Sequence, residues 1–227
     1  DLTVTMGIPN ACNSCHQDQD AQWALDTLRQ QGTRFRDTSN HMARAFQRFD
    51  LGDRSVVPSL AAVANDPSAA PIWRATAMEA VAQGGGREAI QTVTSVLYDD
   101  DPILRSSAVR SLQFLPLHQR YQLLQPLMED EVATVRMEVA QSLAGVPLDQ
   151  VSPEQARQLE TLFKWYLGIQ ALHADMPETN LQTGVFYVAR GDLPSAEAAY
   201  REAISLNWQL VPAYLNLADL LRSQNRD

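Results

Sequence analysis

PIWRATAMEAV (71–81), PILRSSAVRSL (102–112) and ATVRMEVAQSL (133–143) are three versions of one segment. Arg74, Arg105 and Arg136 fall at a constant spacing of 31 residues. Ala77, Ala108 and Val139 keep the same register, as do Val81, Leu112 and Leu143. Within each copy the apolar residues recur at helical spacing. A turn precedes each copy, NDPSAA (65–70), YDDD (98–101) and MEDE (128–131), and an apolar stretch of helical character precedes each turn, VVPSLAAVA (56–64), EAIQTVTSVLY (88–98) and YQLLQPLM (121–128). The unit is helix, turn, helix, three times over. A single amphipathic pair cannot bury its apolar face alone, so the pairs must stack into a solenoid. Proline opening the second helix suits the first helical position, where no N–H is needed.

These blocks resemble HEAT-like repeats of the short bacterial kind, with an acidic turn before the arginine, over about 53–146. Downstream, AGVPLDQVSP (144–153) breaks the period. Ser152, Pro153 and Gln155 predict a capping box for a helix through EQARQLETLFKWYLGIQALHAD (154–175). The following stretch, 177–210, is similar to a tetratricopeptide repeat: Gly184, Tyr187, Ala196, Tyr200 and Ala203 stand where that family's small and aromatic residues recur. Thirty-four positions after Asn180, Gly184 and Tyr187 come Tyr214, Ala218 and Leu221, which continue the register. The groove of such a repeat would carry Glu178, Leu181, Val185, Leu215 and Asp219, and this is not a basic set that clamps a peptide carboxylate. The predicted fold is all-α, a helical-repeat solenoid of HEAT-like pairs followed by tetratricopeptide helices (152–227), with the second tetratricopeptide unit cut short.

Upstream, PNACNSCHQD (9–18) holds both cysteines of the chain and one of its four histidines. Cys12, Cys15 and His16 form C-x-x-C-H, the attachment pattern of c-type haem. Two thiols three positions apart on one incipient turn reach the two vinyl groups of one porphyrin. The adjacent imidazole then lies beneath the ring as proximal iron ligand. A structural zinc site would need four Cys or His ligands in paired spacings, and the remaining histidines, His41, His118 and His173, supply no second pair. Zinc and a disulfide between Cys12 and Cys15 are the other readings. The first 17 residues read as loop, followed by a helix over DQDAQWALDTLRQQG (18–32), with Asp18 or Asp20 as N-cap and Gly32 as stop. A second helix is expected in DTSNHMARAFQRFDLGD (37–53), capped by Ser39 or Asn40, with Met42, Ala45, Phe46 and Phe49 on one face. The segment 1–52 is thus read as a haem-attachment region with two helices.

Taken together, the motif, the helix with Trp23 after it and the repeats resemble the C-terminal part of bacterial multihaem c-type cytochromes with appended repeats. The resemblance implies further C-x-x-C-H motifs upstream of this chain, one haem c on this segment, and a periplasmic parent, since haem c is attached outside the cytoplasm. For the sixth iron position His41 is the first candidate: it opens the second helix, and the family carries a histidine there. Met6, Met42 and a ligand from outside the chain are the alternatives. The absence of an initiating Met or leader makes the chain read as a piece of a longer polypeptide.

The net charge of −9 opposes nucleic acid as a partner, and no run is apolar enough to span a bilayer. Partners are expected to be proteins docking on the repeats, or haem domains of the same parent. Asp99, Asp100 and Asp101 read as a turn that caps the next helix and pairs with Arg105. The arginine ladder reads as architectural. His118 and His173 read as structural, and Trp23, Trp73, Trp165 and Trp208 as packing residues, with Trp23 also able to flank a haem. No Ser-His-Asp set, paired-carboxylate site or glycine-rich phosphate loop appears. The expected function is an electron-transfer module with repeat-mediated docking rather than an enzyme. The alternatives are a scaffold that binds no haem and an enzyme acting at an open haem position.

Overall fold

A computed structural model describes residues 2–33 and 42–225. Among the described residues there are fourteen α-helices and no strand. The chain forms two compact units, Asp1–Thr92 and Val93–Asp227.

The first unit begins with two five-residue helices, α1 (Leu2–Met6) and α2 (Ala11–Cys15). The expectation of a loop over the first 17 residues is therefore corrected. Asn10 explains α2: its side-chain oxygen accepts from the Asn13 N–H at 3.0 Å, supplying an N-cap that starts a turn without an apolar stripe. Helix α3 (Ala21–Gln30) is capped by Asp20, which accepts from Trp23 N–H at 2.7 Å. Its chain exits through Gly32 at φ +78°, a left-handed conformation that favours glycine. Helix α4 (Met42–Asp50) follows, with Phe49 buried. The expected caps Ser39 and Asn40 lie outside the described residues. Helices α5 (Val57–Ala64) and α6 (Pro71–Gln83) form the first repeat pair, and α4 packs against both. Leu60, Ala64, Ala75, Met78 and Val81 are buried there.

The boundary between the units falls inside α7 (Gly86–Val96). The compact units therefore divide the chain differently from the three stretches recognised by their repeats. The second unit continues with α8 (Pro102–Ser111), α9 (Leu117–Leu124) and α10 (Ala133–Leu143). Helix α10 packs on both α8 and α9, burying Leu104, Ala108, Leu112, Leu124, Val135, Val139 and Leu143. Helices α5 to α10 fall on the stretches that the sequence reads as helix-turn-helix units, with α5 packed on α6 and α9 on α10. Helix α11 (Pro153–Leu172) starts at the expected capping box, with Ser152 Oγ accepting from Gln155 N–H and the Gln155 side chain accepting from Ser152 N–H. Helices α12 (Pro177–Arg190) and α13 (Leu193–Leu206) form a hairpin that turns at Gly191, φ +78°. Helix α14 (Val211–Ser223) packs on α13 and begins 34 positions after α12 (177 to 211). The fold is an all-α helical-repeat solenoid.

Candidate functional site

The cysteine motif is built by α2. Cys12 and Cys15 lie three positions apart on its single turn, both as free thiols, Cys12 partly covered and Cys15 exposed. His16 ends the turn: its N–H donates to the Cys12 carbonyl at 2.9 Å. The imidazole packs against the indole of Trp23 on α3, ring centroids 4.9 Å apart and planes tilted by 52°. Trp23 therefore lies beside the motif.

Asn13, the residue inside C-x-x-C that the sequence reading passed over, organises the turn. Its Nδ2 donates to the Gln19 carbonyl at 2.8 Å and more weakly to the Asp20 carbonyl at 3.3 Å. Its Oδ1 accepts from Asn10 Nδ2 at 2.6 Å. One side chain thus ties α2 to the start of α3 and fixes the loop that carries His16. The signal was an asparagine three residues after a plausible asparagine cap. Beyond the loop, the Gln19 amide donates to Asp18 at 2.9 Å. That hydrogen bond, with its own backbone N–H and the nearby His16 charge, holds the Asp18 carboxyl below the usual carboxylate range.

This donor set, two thiols and an imidazole with one thiol open to solvent, has the chemistry to hold a haem covalently and ligate its iron. Among the described residues no group of three His, Cys, Asp or Glu side chains is placed to hold a metal ion. His41 lies outside the described residues. Met6 lines a different cleft of about 480 Å³ with Ile8, Phe46, Phe49 and Trp73, and Met42 sits half-buried on α4. His118 and His173 are both exposed, the latter as C-cap of α11.

The acidic turn behaves largely as read. Asp101 caps α8, accepting from Ile103 N–H at 2.8 Å. The ion pair of Arg105, however, is with Asp130, at 2.8 and 2.9 Å. Asp99 and Asp100 offer Arg105 their main-chain carbonyls instead, each at 2.9 Å. Arg74 likewise donates to the Ala64 carbonyl, at 3.1 Å. The architectural reading holds for these two arginines. Among the tryptophans, Trp73 stacks on Phe46 at 5.8 Å and Trp165 lies under the Arg136 guanidinium at 4.1 Å. Trp208 is 73% exposed, which corrects its expected role in packing. It follows α13 in the turn before α14.

Among the described residues no helix is long and apolar enough to cross a membrane. No curated protein and no solved structure matches the chain. The HEAT-repeat family matches residues 57–144, from the start of α5 to just beyond the end of α10. Repeats of this kind stack into extended surfaces that bind other proteins, and this part of the chain is similar to such an interaction scaffold.

Proposed function

We propose that residues 1–52 are a c-type haem attachment segment. In this reading the chain is an electron-transfer module of a periplasmic, multihaem cytochrome-like protein, and its repeats, tetratricopeptide-like over 177–227, dock a protein partner or neighbouring haem domains. The observation that carries the reading is the placement of two free thiols on one helical turn with an imidazole on the next residue. Cys12 and Cys15 would hold the macrocycle through thioethers, and His16 would hold the iron. Haem c supplies one-electron redox chemistry between ferric and ferrous iron. Asn13 holds the His16 loop against α3, and Trp23 limits where the imidazole can turn. The 34-position step from α12 to α14 supports the tetratricopeptide register. His41 remains the proposed sixth ligand on the family resemblance.

The test is export of the full chain to a bacterial periplasm with cytochrome-maturation machinery. One haem surviving acid-acetone extraction is expected, seen as a mass increase of one haem. Cys12→Ser with Cys15→Ser should abolish it. His16→Ala should prevent a normal low-spin spectrum, and His41→Ala should open only the sixth position. No covalent haem on exported, matured wild-type chain overturns the reading. The second reading, a pure interaction scaffold, is favoured by the HEAT-repeat match and would then stand.

A further inference from the structure

We propose that the cleft between the end of the HEAT-like repeats and α11 binds an acidic side chain of a protein partner, with Arg136 as its counter-ion. The proposal is independent of the haem reading. It deepens the docking reading, on which it rests for the nature of the partner.

The repeat itself points to the ligand. Arg105 meets a carboxylate 25 residues further on, Asp130, in a forked contact that leaves both side chains almost fully buried. The same step from Arg74 leads to Asp99, another acid. From Arg136 it leads to Thr161, on α11. The ladder therefore reaches its last arginine without a carboxylate at the register position, because a helix of different register replaces the fourth repeat; the Asp130 carboxyl, which feels the Arg136 charge, is committed to Arg105. The main-chain contacts of Arg74 and Arg105 are not repeated either. Among the described residues the Arg136 side chain has no hydrogen-bonded partner, and its Nε is buried without one. A buried donor in that condition calls for an explanation.

Arg136 is held ready rather than idle. Its guanidinium lies 4.1 Å above the Trp165 ring, an arrangement that fixes the fork while leaving its edge free to pair. Both residues line a cleft of about 560 Å³, with Met128, Leu162, Thr161 and Gln158 among the walls. The acids around it do not satisfy it. Asp130 is gripped by Arg105, and Glu154 pairs with Arg157. Glu129 is exposed on the rim. An arginine stacked on tryptophan in a partly desolvated cleft has the composition of an interaction hot spot.

The test uses the full chain, with arginine side-chain Nε–H resonances followed by NMR. The probe is the capped peptide acetyl-LMEDEVA-amide, the acidic turn of this chain's own repeat (127–133). Two controls are its amide counterpart, acetyl-LMQNQVA-amide, and the same counterpart with a free C-terminus. The acidic peptide should shift the Arg136 resonance saturably, and the capped amide peptide should bind at least tenfold more weakly. Arg136→Gln should lose that difference. Thr161→Glu places a carboxylate at the register position in cis; it should shift the Arg136 resonance without any peptide, raise the melting temperature and block the probe. Equal binding of the capped acidic and amide peptides, or undiminished binding to Arg136→Gln, overturns the proposal. So does a Thr161→Glu variant with an unchanged Arg136 resonance. Binding of the free-terminus control alone would make the ligand a chain terminus and overturn the side-chain assignment. If Thr161→Glu pairs but no peptide binds, the pairing position stands and the partner proposal falls.

Discussion

Gly184 shows how much one absent methyl group decides. It is buried in α12 where that helix crosses α13, and a Cβ built there would clash with the Tyr200 ring. Tyr200 cannot easily retreat, being 2% exposed in a cluster with Leu181, Ala196, Ala203 and Ala213. Burial pushes its phenol pKa up, partly offset by a hydrogen bond with Asn216. Alanine is the better helix former by about 1 kcal/mol, but overpacking at such a crossing costs about 1–3 kcal/mol. Gly184→Ala should therefore destabilise the hairpin, and Gly184→Leu more so. Hydrogen exchange of the α12 and α13 amides would report it; unchanged protection in both variants would refute the close crossing.

At the scale of elements, Arg105 and Asp130 join α8 to the turn before α10. Their side chains are 10% and 6% exposed. Burial pushes the Asp130 carboxyl up. The Arg105 hydrogen bonds, the Val132 N–H, and the charges of Arg105 and Arg136 outweigh it and hold the group below the usual carboxylate range. A carboxyl depressed in the folded state contributes stability that is present above its unfolded value, near 4, and is lost as the pH falls through its folded one. Arg105→Ala removes the main counter-ion and leaves a buried charge, at a cost of about 3–5 kcal/mol near neutrality. With the counter-ion gone, burial raises the carboxyl, so the sign reverses. The deficit of the variant relative to wild type should narrow as the pH falls from 7 to 4. Urea unfolding at the two pH values measures this, and a deficit that widens in acid would contradict it. Arg105→Met with Asp130→Leu should recover only part of the loss, because the Asp99 and Asp100 carbonyls lose the donor that Arg105 supplies.

Across the whole molecule, the apolar core lies mainly in the repeats. Leu60, Met78, Leu97, Leu104, Leu112, Leu124, Leu143 and Leu159 are fully buried, whereas no residue of α1 or α2 is. Stacked repeats derive their stability from neighbour contacts, so folding of α5 to α14 should not depend on the cysteine motif. The triple substitution Cys12→Ser, Cys15→Ser, His16→Ala should leave helicity by circular dichroism and the cooperative melt nearly unchanged. Only amides near residues 10–20 should exchange faster. A largely disordered variant would show that the motif segment nucleates the solenoid.

The sequence alone determined the helix pairs, because period, turn residues and caps are local: Pro71 and Pro102 open helices, Ser152 and Gln155 cap one, and the 31-residue step repeats the same buried positions. It also carried the whole of the C-x-x-C-H motif, since its chemistry depends on adjacency along the chain. Local pattern missed α1 and α2, whose single turns have no apolar stripe to announce them and, for α2, depend on the Asn10 cap. It paired Arg105 with the neighbouring acidic turn, whereas tertiary packing brought Asp130 to it across 25 residues. Which arginine of the ladder has no side-chain partner among the described residues, and that it rests on Trp165, is decided by how α11 packs beside α10. A repeat specifies contacts within and between like units, and only the folded structure shows what the last unit meets.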